Sequence, residues 1–528
     1  LFLLFFIIIY YYILLYIIIY YYILLYIIIF NKNMDKTSFE EKELEILRTS
    51  VDNASAVSGR KIAQSEDIKI LINKLEHFLR IHKAFCYGGT AINNILPEQY
   101  RFYNKNIEVP DYDFYTPYAL EYVKKIADMY YNFGYKEVEA KTGIHKGTYK
   151  VFVNFIPIAD ITFMEKNLFN NIYKECIKVN GISYAPPNLL RMGAYQELSR
   201  PMGDVTRWEK VLKRLILLNK IYPLKGTMCS KQDFQRYYEG PIDERNKIYD
   251  ITRNCFINQG LVFFGGYASS LYGKYMPKKE KKLINSIPDF DVLSEEPYES
   301  ATILKEQLNY EGFKDIKINK KEEIGKYIDE HYEIIVNKDT IALIYKANSC
   351  HSYNNIYINN QKIKVATIDT ILSFYLVFIY ANRPHFDVNR LLCMSEYLFR
   401  VQLKNRLQQK GLLKRFTVNC YGKQETLEDI RANKAKKYKE LFDRGIKKGS
   451  MEYQENFLRY IPADIEKYKE KEKEKEKEKE KEKAKTKAKT KPKTKKRIKT
   501  KNKNKNPNKT ESNKFQKLLA KLRKNKNK

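Results

Sequence analysis

Three acidic residues in the first half of the chain have the type and placement of metal ligands. Asp111 and Asp113 alternate with apolar residues at the period of a strand, so both carboxylates are predicted to lie on one strand face. Asp160 interrupts a later apolar run, which is predicted to be a neighbouring strand. Carboxylate oxygens on adjoining strands suit Mg²⁺, which keeps water and substrate phosphates among its ligands. The predicted chemistry is that of divalent cations acting on a phosphate-containing substrate.

A glycine pair precedes these residues. Gly88 and Gly89, followed by Thr90, join a predicted strand over 84–87 to a predicted helix over 91–96. Backbone N–H groups at such a turn can approach a triphosphate closely. A single Asp-x-Asp is usually a surface strand or turn, and a glycine pair alone is usually a turn. The ordered combination of glycine pair, Asp-x-Asp and strand Asp is typical of nucleotidyl transfer.

Helices and strands alternate between Met34 and about Pro462, which predicts an α/β (α+β) fold with a mixed sheet and flanking helices. Around the acidic residues, we predict helices over 66–82 and 117–133, and strands over 84–87, 111–115, 135–141, 147–155 and 157–164.

The motifs occur twice, in the same order. The matching segments are 88–89 and 265–266, 111–113 and 289–291, and RPMGDVTR at 200–207 and RPHFDVNR at 383–390. We infer two tandem copies of one α/β module, over roughly 60–225 and 240–410. The prolines of the last segment, Pro201 and Pro384, are predicted to begin helices.

The second copy is predicted to be degenerate. Counting back from its RPxxDVxR segment aligns Asp160 with Leu343, so the third carboxylate is lost in that alignment. Counting forward from Asp291 gives Asp339 instead, in a segment with the composition of a hairpin turn. We therefore expect the first copy to be catalytic.

The motifs resemble a known family. YGGTAINN at 87–94, PDYDFYTP at 110–117 and IADITF at 158–163 are similar to the polymerase-beta-type nucleotidyltransferases. With SRPMGDVTRWEKVLKRL at 199–215, the order over roughly 60–420 resembles the catalytic subunit of poly(A) polymerases of the large cytoplasmic DNA virus, or giant-virus, type. The resemblance implies template-independent addition of AMP from ATP to RNA 3′ ends, with release of pyrophosphate. It also implies two Mg²⁺ or Mn²⁺ ions.

Motif matching then implies individual roles. Asp111 and Asp113 hold the cation bound to the triphosphate, while Asp113 and Asp160 hold the cation that lowers the pKa of the primer 3′-hydroxyl. The nucleotide-binding residues implied in the same way are Gly88, Gly89 and Thr90. Preference for adenine is implied by the resemblance alone.

Other functions stay open at the level of the sequence. One is another RNA 3′-nucleotidyltransferase, adding uridylate or completing tRNA ends, and another is a catalytically dead RNA-binding subunit. Cations specific to the first copy, at Lys210, Lys213 and Arg214, either face nucleotide or RNA phosphates or form a solvated helix face. The resemblance is compatible with a homodimer or a processivity subunit.

Charge and cysteine content indicate that the chain is an intracellular protein that binds a polyanion. The chain of 528 residues has a formal charge of +33, and residues 467–528 hold 29 basic and 8 acidic residues. The first 466 residues are therefore also basic, as expected for a nucleic-acid-binding protein. Seven cysteines without a CxxC pair argue against a disulfide framework or a zinc knuckle, and they are predicted to be small core residues.

Four segments follow from composition. Residues 1–33 contain an apolar decamer repeat that we interpret as translated upstream sequence outside the mature protein; a membrane anchor is the rival interpretation. Residues 34–230 form the predicted catalytic domain and 231–462 the degenerate one. Residues 463–528 form a predicted disordered, basic tail with a small apolar helix stripe at its end.

Without residues 1–33 no membrane association is expected. The predicted location is the cytoplasm (viral factory or virion), with the nucleus as the alternative.

Overall fold

The computed structural model describes residues 14–22, 24, 39–63, 65–104, 108–227, 229, 239–277, 289–325, 327–467 and 474–479. None of the helices in these ranges combines the length and the apolar character that a membrane span requires.

The first sheet is built around the predicted acidic strands. Its strands are β1 (Phe85–Tyr87), β2 (Tyr112–Thr116), β3 (Val138–Thr142), β4 (Thr148–Val153), β5 (Ile156–Phe163), β6 (Ile177–Val179) and β7 (Ile182–Tyr184). They pair in the order β3-β4-β5-β2-β1-β7-β6, with β2 parallel to β5 and β1 parallel to β7. The sheet is therefore mixed.

The second sheet repeats this topology. Its strands are β8 (Val262–Phe263), β9 (Phe290–Ser294), β10 (Ile316–Lys321), β11 (His331–Val336), β12 (Asp339–Lys346), β13 (His351–Ile358), β14 (Gln361–Ala366) and β15 (Cys420–Tyr421). The order β10-β11-β12-β9-β8-β14-β13 matches the first sheet strand for strand, and the β9–β12 and β8–β14 pairs are again parallel. The predicted α/β class with two tandem modules is confirmed.

Helices cover the sheets. They are α1 (Phe39–Ala63), α2 (Glu66–Ile81), α3 (Gly88–Ile95), α4 (Ala119–Phe133), α5 (Lys166–Tyr173), α6 (Pro187–Leu198), α7 (Trp208–Ile221), α8 (Ile242–Asn258), α9 (Gly266–Tyr272), α10 (Pro297–Tyr310), α11 (Ile368–Phe378), α12 (Val388–Lys404), α13 (Leu427–Asp443) and α14 (Met451–Phe457). Helix α2 buries one apolar stripe, formed by Ile68, Leu71, Ile72, Leu75, Phe78 and Leu79.

The two modules pack through helices. Helix α6 of the first module packs against α11 of the second, in which every residue is buried. A helix that is apolar on all sides must be enclosed on all sides, so α11 is a shared core element. At its start, Asp369 is 1% exposed and accepts hydrogen bonds from the Nε and Nη2 of Arg415 at 2.7–2.9 Å.

The C-terminal part of the second module returns to the first sheet. Strand β16 (Arg459–Tyr460) pairs antiparallel with β3. The order of elements does not by itself fix a boundary, and the division at residue 230 stays a proposal. Beyond Ala463 the described segments 464–467 and 474–479 are helical. The apolar stripe predicted near the C-terminus lies outside the described residues, as does most of the segment 1–33.

The RPxxDVxR segments differ from their predicted structure. Neither Pro201 nor Pro384 begins a helix, so that prediction was wrong. The aspartate of each segment caps the helical turn that follows: Asp204 accepts from the N–H of Thr206, and Asp387 accepts from the N–H of Arg390. A side-chain oxygen that satisfies a free N–H group marks these helix starts better than proline does.

The cysteines also depart from prediction. Disulfides join Cys229 to Cys393 and Cys350 to Cys420, although the sequence argued against disulfides. The other three are free: Cys86 and Cys255 are buried, as predicted for core residues, and Cys176 is half-buried. The partners of each disulfide are 164 and 70 residues apart in the chain, so local spacing gave no signal for either.

Two buried histidines make stability depend on pH. Burial lowers the pKa of His351 to about 3 and that of His331 to about 4. Both side chains are therefore neutral in the folded protein, whereas the unfolded chain binds protons below about pH 6.5. The unfolded state then holds more protons between pH 6.5 and 4, so stability is full above this window and falls as the pH decreases through it.

We predict that His351→Leu flattens this dependence. Each buried histidine should lower the free energy of unfolding by about 1.4 kcal/mol per pH unit below pH 6. Urea unfolding at pH 5, 6 and 7 measures the slope for both proteins. Neither ring nitrogen of His351 has a hydrogen-bond partner among the described residues, so the substitution breaks no hydrogen bond of the imidazole ring. An unchanged slope would show that His351 is not buried as a neutral group.

Candidate functional site

The three predicted carboxylates lie on one face of the first sheet. Parallel strands β2 and β5 place Asp113 directly beside Asp160, and Asp111 immediately precedes β2 on the face of Asp113. Asp111 is exposed to solvent, whereas the side chain of Asp160 is only 20% exposed. The sheet therefore brings the predicted ligands into one row.

The glycine pair touches this row. Gly88 begins α3 with φ +74°, and a Cβ at this position would lie 2.9 Å from Oδ2 of Asp113. Both the backbone conformation and the close approach require glycine here. A Cβ at Gly89 would instead meet the Tyr103 hydroxyl and the Arg214 guanidinium. The start of α3 therefore lies between the Asp113 carboxylate and the Arg214 guanidinium.

Thr90 supports the strand. Its Oγ1 donates to the backbone oxygen of Asp111 at 2.6 Å, and the side chain is 4% exposed. The hydroxyl assigned to the nucleotide loop therefore ties α3 to the start of β2 and holds Asp111 in place.

Burial and electrostatic repulsion together raise the pKa values of carboxylates on this face. Burial, then the neighbouring Asp111 and Asp160, raise the pKa of Asp113 to about 7, while Lys150 and Arg207 partly oppose the rise. Burial and Asp160 also raise the pKa of Asp111, against the effect of Lys150 and Lys210. The three carboxylates are therefore held closer together than their charges favour.

Sequence reasoning missed Lys150. It lies on β4 directly opposite Asp160, and its Nζ donates to Oδ2 of Asp160 at 2.5 Å. The period-two alternation along β4 could have placed it on a sheet face, but not next to this particular aspartate, because strand pairing is not visible in one sequence.

The cations of α7 divide between two roles. Arg214 is buried, donates from Nη2 to the Tyr103 hydroxyl and lies over the Phe102 ring. Lys210 lines a cleft next to Asp111, whereas Lys213 forms an exposed ion pair with Glu209. Two of the three predicted cations therefore face the site.

The cleft next to Asp111 has a volume of about 730 Å³, large enough for a nucleotide. Helix α2 and the start of β2 form its walls. Its polar lining includes Lys69, Asn73, Glu76, Asn94 and Lys210.

The equivalent face of the second module is closed. Leu343 occupies the register position beside Asp291 that Asp160 occupies beside Asp113, as the sequence predicted. Asp339 begins β12 next to a hairpin turn, four residues away from that position. The second module therefore has an aliphatic side chain in place of the third carboxylate.

The two remaining aspartates of the second module are packed into the protein. Oδ2 of Asp289 accepts from Nη2 of Arg390 at 2.7 Å, in a pair whose side chains are 5% and 10% exposed. A Cβ at Gly265 would overlap the Asp291 carboxylate, and one at Gly266 would overlap that of Asp289. The glycine turn and the carboxylates fill the space that a substrate would need. In the first module Arg207, the counterpart of Arg390, pairs with Glu197 instead.

The second module reaches the acidic face of the first. Tyr327, between β10 and β11, makes an edge contact with the ring of Tyr115 at a centroid distance of 6.1 Å. Tyr115 stacks on Tyr87, whose hydroxyl lies 3.0 Å from Oγ1 of Thr162. Tyr87, Tyr115 and Thr162 lie on the same sheet face as Asp113 and Asp160, next to the carboxylates.

The donor chemistry fits divalent cations. Oxygen donors of Asp111, Asp113 and Asp160 are hard ligands, and their mutual repulsion is what a bound dication would relieve. Across the described ranges, however, no group of three or more His, Cys, Asp or Glu side chains is spaced to hold an ion as it stands. Asp160 is engaged with Lys150 in this structure.

Known proteins match this region. The family model for the poly(A) polymerase catalytic subunit matches residues 73–204. A putative poly(A) polymerase catalytic subunit of Acanthamoeba polyphaga mimivirus is 30% identical over 190 residues, which cover 35% of this chain and 32% of the relative. A putative poly(A) polymerase catalytic subunit of African swine fever virus (strain Badajoz 1971 Vero-adapted) is 27% identical over 187 residues. These residues cover 34% of this chain and 39% of that relative. The chain thus spans about a third of the length of these relatives.

The fold extends the similarity over both modules. The crystal structure of the Megavirus polyadenylate synthase matches with a TM-score of 0.67 and 19% identity, covering 81% of this chain and 86% of that one. Three of the segments that carried the sequence resemblance, 87–94, 110–117 and 158–163, lie inside the matched residues, and the fourth, 199–215, overlaps their end. The resemblance is confirmed over residues 73–204, which are similar to the poly(A) polymerase catalytic subunit family.

Proposed function

We propose that this chain is a polynucleotide adenylyltransferase, which adds AMP from ATP to RNA 3′ ends without a template and releases pyrophosphate. One observation supports it above the others: Asp113 and Asp160 stand side by side in register, with the glycine turn in contact with Asp113. The second module lacks this combination, which limits the proposal to one site.

Each residue of the site has a proposed role. Asp111, Asp113 and Asp160 would hold Mg²⁺ or Mn²⁺, which would neutralise the triphosphate and lower the pKa of the RNA 3′-hydroxyl. The N–H groups of Gly88 and Gly89, at the start of an eight-residue helix, would bind phosphate oxygens. Thr90 acts by fixing the position of Asp111.

The basic side of the glycine turn is suited to the leaving group. Arg214 lies against Gly89, and Lys210 lines the cleft with Asp111. Their positive charge would stabilise pyrophosphate as negative charge develops on it. Holding the RNA hydroxyl and the α-phosphate in line supplies much of the remaining rate enhancement.

The partners follow from this function. RNA 3′ ends and ATP are the proposed substrates, and the catalytic-subunit name of the matching relatives suggests a second subunit, such as a processivity factor. A homodimer is the other proposed assembly. We propose a cytoplasmic site of action.

Primer extension tests the proposal. The purified protein is incubated with an RNA oligonucleotide, Mg²⁺ or Mn²⁺, and each nucleoside triphosphate separately. Extension with ATP alone supports the proposed activity. Extension with UTP or CTP would keep the chemistry and change the substrate. A folded protein that binds RNA but extends it with none of the four would favour a non-catalytic RNA-binding subunit.

Replacing one carboxylate should separate activity from stability. We predict that Asp113→Asn lowers the extension rate by about 10³-fold or more, because a ligand is lost. The same substitution should raise the melting temperature in EDTA, because it removes a buried charge that Asp111 and Asp160 repel. Single-turnover extension and thermal unfolding measure the two effects. Wild-type activity in Asp113→Asn would exclude the assignment.

A matched change in the second module should leave activity intact. Breaking the buried Asp289–Arg390 pair on one side alone would cost about 3–5 kcal/mol, because it leaves a buried charge unpaired. We therefore predict that the double variant Asp289→Asn, Arg390→Met folds and extends RNA within about threefold of the wild-type rate. Loss of extension in a folded double variant would mean that the second module takes part in the chemistry.

A further inference from the structure

Lys150 is placed to regulate access to the third carboxylate. Its Nζ lies 2.5 Å from Oδ2 of Asp160, and the two residues are direct partners in the β4–β5 pair. The side chains are 36% and 20% exposed, so water screens the ion pair only in part. A cation that binds Asp160 through this oxygen must displace the ammonium group.

The ammonium group also acts on the rest of the row. Asp113 is the register partner of Asp160 on the next strand, so Lys150, Asp160 and Asp113 lie side by side on one face of the sheet. A single positive charge therefore stabilises three neighbouring carboxylates in the protein as it stands, and it makes the face less attractive to a dication.

The second module supplies a natural comparison. The strand position that corresponds to Lys150 is Glu333, which stands opposite Leu343. Glu333 pairs with Lys321 at 3.0 Å and accepts from Thr340 at 2.7 Å. The lysine is thus found in the module that has the third carboxylate and is replaced by an acid in the module that has lost it.

We propose that Lys150 is the resident counter-ion of Asp160 and competes with the second divalent cation, so that this cation binds tightly only together with the nucleotide. The inference rests on the proposed assignment of Asp111, Asp113 and Asp160 as metal ligands. Lys150 is therefore a positioning residue, because it determines when Asp160 is free to bind a cation. A triphosphate brings negative charge beside Asp160 and gives the displaced ammonium group a new partner.

Lys141 provides a matched control. It lies on β3 directly opposite Lys150, is 44% exposed and pairs with Glu139 at 3.2 Å, a carboxylate outside the acidic row. Lys141→Met therefore removes the same charge from the adjoining strand without uncovering Asp160.

The experiment measures Mn²⁺ binding directly. Free Mn²⁺ is quantified by electron paramagnetic resonance during titration of the full chain, with and without a non-hydrolysable ATP analogue. The proteins are wild type, Lys150→Met, Lys150→Gln, Lys150→Arg and Lys141→Met. Circular dichroism and melting temperature establish that each is folded, and Lys150→Gln substitutes for Lys150→Met if that variant unfolds.

Removing the charge should tighten binding of Mn²⁺ alone on the order of tenfold, because a like charge within a few ångströms of a dication is lost. The nucleotide should then increase Mn²⁺ affinity by a smaller factor than in wild type. Lys150→Arg and Lys141→Met should bind Mn²⁺ as wild type does. Unchanged or weaker Mn²⁺ binding in folded Lys150→Met, or equal tightening in Lys141→Met, would overturn the proposal.

The result is separable from the test of activity. Tighter Mn²⁺ binding in Lys150→Met supports the counter-ion role even if the chain extends RNA with no nucleotide. Conversely, ATP-dependent extension by wild type together with unaltered Mn²⁺ binding in the variant would leave the proposed function standing and remove the role of Lys150.

Discussion

Repulsion between carboxylates on one strand face constrains both halves of this molecule. Each module carries an Asp-x-Asp on the strand next to its glycine turn, and each must balance those charges. The first keeps the face partly open to solvent, adds Asp160 and supplies Lys150 as a counter-ion. The second replaces the added carboxylate with Leu343 and buries Asp289 against Arg390. The same strand arrangement thus carries a crowded, partly exposed acidic face in one module and a buried face with an Asp–Arg ion pair in the other.

The surrounding structure keeps the first face in its unfavourable state. The parallel β2–β5 register fixes Asp113 beside Asp160, and Thr90 fixes the strand start at Asp111. A left-handed glycine at Gly88 then allows the helix start to contact Asp113 without a steric clash. Energy that a cation could release on binding is therefore stored by ordinary hydrogen bonds and strand pairing, which is the usual relation between stability and function at an active site.

Much of this could be predicted from the sequence, because the informative signals are periodic or repeated. Alternation placed both aspartates of the Asp-x-Asp on one face, and the repeat located the second module and Leu343. The remainder depends on which strands and loops become neighbours, and one sequence does not contain that information. Lys150 and Tyr327 were missed for this reason, as were the two disulfides. The prediction that Pro201 and Pro384 begin helices was wrong, because Asp204 and Asp387 cap the helices in these segments.

A module without its own site can still be required by the site of its neighbour. The second module encloses α11, and α11 packs on α6, which precedes the cations of α7 in the chain. Tyr327 of the same module contacts Tyr115 on the acidic face, two residues from Asp113. In the second module Arg390 pairs with the buried Asp289, and Leu343 fills the position of the third carboxylate, so this face is part of the packed core. The duplicated fold therefore links the two halves through these contacts, although the register position that Asp160 occupies in the first module holds Leu343 in the second.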